Sequence, residues 1–281
     1  MDDLVYEAPA KINLSLEVGA AHASGYHPLR SLVQALEWCD TLAVDTASED
    51  RLDITGADLE SDGSNLAWKA IEALASDRPR LHMLLDKQIP AAAGLGGGSA
   101  NAAAALVAVA EILGLSAEVV AATAPRVGAD VSFFLTGGTA WMEGYGERIT
   151  PVDAVRGCAV AVVVPPFELS TPEVYRSWDR MDGPKGPGVE GRILPPALRE
   201  FGPLRNDLAP AAIAVEPELG DWIADLGDRW GRPVCLSGSG PALFGYFTDV
   251  DEAASAAAEV AGPNRSCRGV AFREVGVFRK G

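Results

Sequence analysis

Histidine and cysteine are scarce in this sequence, with three and four copies in 281 residues. Cys39, Cys158, Cys235 and Cys267 stand far apart, with no C-x-x-C pair and no His at metal-ligand spacing. This excludes a zinc ribbon or a thioredoxin-like motif and predicts structural thiols in a reducing compartment, with no metal site of the protein's own. Basic residues are also in deficit, 23 Lys and Arg against 39 Asp and Glu, for a formal charge of -16. A general nucleic-acid or anionic-membrane surface is thereby excluded, and a phosphate ligand must be held by local amides and a few cations. No apolar run approaches the ~20 residues of a membrane span. Met1-Asp2-Asp3-Leu4 lacks the basic start of a secretory signal. The expectation is a cytoplasmic protein with no membrane or nucleic-acid partner and no obligate protein partner.

What is present describes a globular chain, 48% hydrophobic and 22% charged, long enough for two modest domains with separate cores. A linker from Pro151 to Arg156 divides them, giving segments 1–153 and 154–281. The stretch that organises the chain is Pro90-Ala91-Ala92-Ala93-Gly94-Leu95-Gly96-Gly97-Gly98-Ser99-Ala100. Four glycines in five positions each cost roughly 1 kcal/mol against Ala in a regular element. What they offer is bare backbone that can turn its amides toward an anion. The Ala-rich run from Asn101 to Leu113 predicts a helix whose free N-terminal amides point back at the loop. No Lys precedes Ser99, so this is not a Walker loop, and Ser99 stands where a dinucleotide fingerprint needs its third Gly. A glycine-rich turn without a ligand is the alternative.

Around it, Leu4 to Val18 alternates as a strand, with Ile12, Leu14, Leu16 and Val18 on one face and Lys11, Asn13, Ser15 and Glu17 on the other. Lys11 on such a face is either a solvated charge or a functional group. The loop Ala23 to Leu29 sets Tyr26 beside His27, which suits a planar ligand or a hydrophobic lid. Leu32 to Trp38 and Thr41 to Asp45 read as strands around a turn at Cys39-Asp40, and Leu52 to Ile54 as another. Asn65 opens a helix through Leu74. The strand His82 to Asp86 leads through Lys87 into the glycine loop, and a helix from Ala117 ends before Pro125. Asp130 is either a helix N-cap or a catalytic carboxylate. Gly137 to Gly144 reads as a turn into a strand that closes the first half, Ala159 to Val164 as a buried strand, and a short helix follows Thr171-Pro172 and carries Tyr175. Gly183 to Pro203 reads as a mobile loop. Asn206-Asp207-Leu208 opens a helix, and Pro217 starts another that ends near Trp230. Ser237-Gly238-Ser239-Gly240 is a second glycine loop between strands, a hairpin or the other half of a phosphate site. A helix from Asp251 to Ala261 and a strand from Val270 to Val277 complete an α+β second half.

Taken together, Pro9-Ala10-Lys11-Ile12-Asn13-Leu14, Gly25-Tyr26-His27, Pro90 to Asn101, Gly128-Ala129-Asp130-Val131 and Leu236 to Pro241 resemble the GHMP small-molecule kinases in both halves of the chain. The resemblance implies an α+β, two-layer fold in two domains, the first ribosomal S5 domain 2-like and the second ferredoxin-like, with the active site between them. It implies ATP-dependent phosphorylation of the 2-hydroxyl of a cytidine-diphosphate-linked methylerythritol, with Mg²⁺ arriving on the nucleotide. The other readings are a kinase for a smaller alcohol such as homoserine or mevalonate, and a non-catalytic nucleotide-binding protein. By the same resemblance Lys11 and Asp130 form the catalytic pair, and Tyr26 and His27 hold the cytosine. Pro90 to Ala100 holds the ATP phosphates, Asn65 and Leu66 lie near the adenine, and Asn13, Thr171 and Tyr175 lie near the second substrate. One departure is Ala100, where the family often has a second serine.

Overall fold

A computed structural model describes residues 4–22, 26–262 and 265–280. The first sheet has seven strands. They are β1 (Leu4–Val18), β2 (Leu29–Ala47), β3 (Arg51–Thr55), β4 (Arg80–Asp86), β5 (Thr139–Gly144), β6 (Arg148–Pro151) and β11 (Phe278–Arg279). Their order is β11-β1-β2-β4-β3, with β5 also on β2 and β6 on β5. Helices α1 (Leu66–Leu74), α2 (Gly97–Leu113), α3 (Ala117–Val127) and α4 (Val131–Thr136) cover one face. The second sheet is β10-β7-β9-β8, from β7 (Ala159–Val164), β8 (Val234–Leu236), β9 (Leu243–Phe247) and β10 (Ser266–Ala271). Its helices are α5 (Thr171–Arg180), α6 (Ala209–Val215), α7 (Glu218–Trp230) and α8 (Val250–Glu259). Helices after its first and third strands give the β-α-β-β-α-β arrangement expected of a ferredoxin-like half.

The apolar pattern explains the layering. β7 is buried along its whole length. Val160, Val162 and Val164 join Ile12, Leu14 and Leu36 between the sheets, while Ala159, Ala161 and Val163 face the helices of the second half. A strand covered on both faces reads as a continuous apolar run because neither face meets water. The segment between Pro151 and Ala159 carries the chain from one sheet to the other, but β11 then returns to pair with β1 at Tyr6 and Glu7. Segment 154–281 therefore supplies one strand of the first sheet.

Several sequence expectations need correction. Cys39-Asp40 is not a turn, because β2 runs through it as one 19-residue strand. The register slips from Ala10↔Leu36 to Pro9↔Cys39, so Glu37 and Trp38 bulge out of the pairing. Bulges bend a strand and re-aim its side chains. Here Val33 and Ala35 before the bulge and Leu42 and Val44 after it, of opposite parity, share one core. α2 begins at Gly97, four positions before Asn101, because Gly96 caps it in the left-handed region at φ 71°. α3 continues through Pro125 to Val127. The proline sits in the last turn, where the carbonyl it leaves unpaired belongs to exposed Ala121. Residues 183–203 form two short 3-10 turns whose Leu194 and Leu198 are buried between the sheets, so this is a docked segment, not a free loop. Pro217 occupies the cap position of α7, one place before its first turn. The strand expected from Val270 to Val277 stops at Ala271.

Candidate active site

β1 carries Lys11 and Asn13 toward the glycine loop, and the backbone amide of Lys11 donates to Leu95 O at 2.9 Å. Lys11 is only 5% exposed, so the solvated-charge reading is excluded. Its ammonium donates to Asn13 Oδ1 at 2.6 Å and stands 3.6 Å from Asp130 Oδ2. Asn13 is itself held, with Nδ2 donating to Ser31 Oγ at 2.8 Å and Ser31 Oγ donating to Ser15 O at 2.6 Å. Asp130 occupies the N-cap position of α4, yet its side chain accepts no helix amide. Its carboxylate faces Lys11 instead.

The two glycine loops meet. Ser237 Oγ donates to Gly94 O at 3.0 Å and accepts from the Asn13 amide at 3.3 Å, and the Ala242 amide donates to Ala93 O at 2.9 Å. The second loop is thus a hairpin turn and also a wall of the cleft. That cleft, about 280 Å³, is lined by Lys11, Asn13, Gly94, Gly96, Asp130 and Thr171, among others, and by Tyr175, Gly238 and Ser239. Thr171 and Ser239 hydroxyls lie 2.7 Å apart across its mouth. Burial, and then the negative charge of Asp130, push the Tyr175 hydroxyl up to about 12, keeping it a neutral donor at ordinary pH. Asp130 is the one carboxylate lining this cleft among the described residues. A larger cavity of about 590 Å³ opens between α6, α7 and β8, but Asn13 is the only sequence-predicted site residue that lines it.

The loop from Pro90 to Ala100 wraps the N-terminus of α2, whose first amides have no intrahelical partners. Ser99 is half-buried at that end, whereas Ala100 is fully buried and belongs to the apolar core between α2 and the first sheet. A second serine hydroxyl would enter the core, not the phosphate face. Leu66 approaches the loop, since a Cβ on Gly98 would stand 3.4 Å from Leu66 Cδ1. The Asn65 side chain is committed locally, accepting the Ala67 amide and donating to Glu60 O.

Tyr26 and His27 diverge. Tyr26 is 70% exposed, with its ring edge-on to Tyr145 at 6.3 Å. His27 is buried against Tyr175 and Trp178. Its Nδ1 donates to Gly19 O at 3.0 Å and its Nε2 faces the Asp179 carboxylate at 3.3 Å. Both ring nitrogens are engaged inside the protein, which leaves Tyr26 as the open ring. Ala23, Ser24 and Gly25 lie outside the described residues. Sequence reasoning missed Tyr145 and Asp179. The only signals for them are an aromatic between two glycines and an Asp four residues after Tyr175.

Comparison with known proteins identifies the family of the chain. The GHMP kinases N terminal domain family matches residues 65–138. A 4-diphosphocytidyl-2-C-methyl-D-erythritol kinase of Nocardioides sp. is 40% identical over 278 residues, covering 91% of this chain and 92% of that protein. A protein of the same name from Polaromonas sp. is 37% identical over 265 residues, covering 87% and 84%. A crystal structure of 4-(cytidine 5'-diphospho)-2C-methyl-D-erythritol kinase superposes with a TM-score of 0.75 at 32% identity, covering 95% of this chain and 99% of its own. On these findings the chain belongs to the 4-diphosphocytidyl-2-C-methyl-D-erythritol kinase family of GHMP kinases.

Proposed function

We propose that this kinase moves the γ-phosphoryl group of ATP to the 2-hydroxyl of 4-diphosphocytidyl-2-C-methyl-D-erythritol, giving the 2-phosphate and ADP in the methylerythritol phosphate route to isopentenyl diphosphate. The observation that carries the reading is the buried Lys11 beside Asp130, at the cleft where the glycine loop ends. Phosphoryl transfer is largely positioning and charge stabilisation. Asp130 accepts the hydroxyl proton as the new O–P bond forms and the bond to ADP breaks. Lys11, fixed by Asn13, orients Asp130 and faces the transferred group. The amides of Gly94 to Ser99 hold the phosphates, with Leu66 beside the adenine. Thr171, Ser239 and Tyr175 offer hydroxyls to the acceptor, and the Tyr26 ring offers a face for cytosine.

The donor set fits Mg²⁺ brought by the nucleotide. That ion prefers oxygen and keeps several waters, the cleft offers the Asp130 carboxylate and the loop the Ser99 hydroxyl, and no group of three or more His, Cys, Asp or Glu among the described residues could form a cage. When bound, the ion neutralises charge across the phosphates. No helix among the described residues is long and apolar enough to cross a membrane. The four cysteines are free thiols, which supports placing the reaction in the cytoplasm.

The test is ADP release with ATP and Mg²⁺, comparing cytidine-diphosphate methylerythritol with methylerythritol phosphate, homoserine and mevalonate. Turnover with the first alone is expected. Turnover with only a smaller alcohol refutes the acceptor, and none with any refutes the kinase assignment.

A further inference from the structure

Behind the glycine loop, away from the cleft, Asp40, Lys87 and Asn101 are buried together at 0%, 4% and 3% exposure. Asp40 Oδ2 accepts from the Lys87 ammonium and from Asn101 Nδ2, the latter at 2.9 Å, and Lys87 also donates to Asn101 Oδ1 at 3.1 Å. Asp40 Oδ1 accepts the amides of Gln88 and Ile89 at 2.7 and 2.8 Å. The three side chains come from β2, from the residue after β4 and from α2. None of them lines the cleft.

Stability alone is a poor reason for such a cluster, because a buried ion pair replaced by apolar groups of similar volume is often neutral or stabilising. What it supplies is fixed geometry. Gln88 and Ile89 are the residues by which the chain enters the glycine loop, and Asn101 lies just past its exit. The Lys87 ammonium sits beneath the first turn of α2, where a Cβ on Gly97 would stand 3.1 Å from Nζ. One carboxylate thus binds both ends of the loop. The pair is neutral as a whole, so it adds little net charge to the phosphate site.

We propose that Asp40, Lys87 and Asn101 are positioning residues for phosphoryl transfer, a buried clamp that sets the distance between the two ends of the glycine loop so that its amides converge on the ATP phosphates. This rests on the assignment of that loop to ATP. The clamp acts on the phosphates and not on the adenine, so loosening it lowers affinity for ATP while leaving adenosine alone.

The experiment is calorimetric titration of the full chain with ATP and, separately, with adenosine, for the wild type, Asn101→Ala and Asp40→Asn, with folding checked by circular dichroism. Alanine suits the Ala-rich α2, so Asn101→Ala keeps the test decisive if Asp40→Asn does not fold. Hydrogen bonds to charged groups set the scale, so ATP should bind at least ~5-fold more weakly to Asn101→Ala and more than ~10-fold more weakly to Asp40→Asn, with adenosine within about twofold. A folded Asn101→Ala that binds ATP like the wild type, or that loses ATP and adenosine equally, overturns the clamp. Wild-type protein with no preference for ATP over adenosine overturns the loop assignment beneath it, which separates the two failures.

Discussion

Substituting Gly94 by Ala tests the joint between the two glycine loops. Gly94 has φ +80°, and an added Cβ would stand 2.6 Å from Ser237 O and 3.1 Å from Gly240 O. Both obstacles are backbone, so the loops must part. The left-handed conformation costs an alanine roughly 1–2 kcal/mol. Parting the loops weakens the Ser237 Oγ to Gly94 O bond, worth about 1 kcal/mol more. A loss of about 2–3 kcal/mol corresponds to a fall in Tm of about 3–5 °C for a chain of this size. Because the same movement displaces phosphate-facing amides, kcat/KM for ATP should fall about 10²-fold. Gly98→Ala is the control. Its Cβ would make only an ordinary 3.4 Å contact with Leu66, and inside a helix Ala is favoured over Gly by about 0.5–1 kcal/mol. Its Tm should hold or rise. Thermal denaturation and coupled ADP-release kinetics on both variants decide the matter, and a Gly94→Ala protein with wild-type Tm and kcat/KM would refute the reasoning.

Asp130→Asn and Lys11→Met should each lower kcat at least ~10²-fold with modest change in the KM for ATP, as steady-state kinetics would show. Asn206 donates to Leu236 O and Gly238 O and accepts the Leu208 amide. Asn206→Ala should therefore cost about 2–4 kcal/mol in denaturant titration by leaving buried carbonyls unpaired. Burial raises the Asp50 carboxyl, but hydrogen bonds from Arg78, Arg80 and the Leu81 amide outweigh it and hold the group at about 2. A carboxyl lowered on folding gives stability that is present above its unfolded value near 4 and is lost as pH falls toward 2. Urea titrations across that window should show a smaller decline for Asp50→Asn than for wild type.

The parts of the site that were legible in sequence are those written in local chemistry. Glycines cannot be spent idly before a helix, so the loop and α2 could be read directly, and the alternation of β1 put Lys11 and Asn13 on one face. Whether that face was wet could not be read, because the cover comes from Gly94 and Ser237, far along the chain. Asp130 was ambiguous for the same reason, since a cap and an ion pair use the same residue and only the distance to Lys11 separates them. Asp40 misled because Asp after Cys looks like a turn, while the bulge that turns it inward is a mismatch between two strands and has no signature in either alone. Whether the His27 ring nitrogens had partners within the protein could not be read, because Gly19 and Asp179, which face them, are brought there by the return of β2 and by α5.

The lacing of Arg273 to Lys280 onto the first sheet bears on how the chain is made. The amides of Arg273, Val277 and Lys280 reach Ala35, Phe134 and Val5, and Phe278 and Arg279 cover the outer edge of β1. During synthesis that edge stays open until residues near 280 have left the ribosome, although almost all its neighbours emerged long before. Closing such a distant contact is slow, and an open strand edge invites pairing with other chains. The outer edge of β1 should therefore be among the last parts of the fold to close, and until then it is open to pairing with another nascent chain.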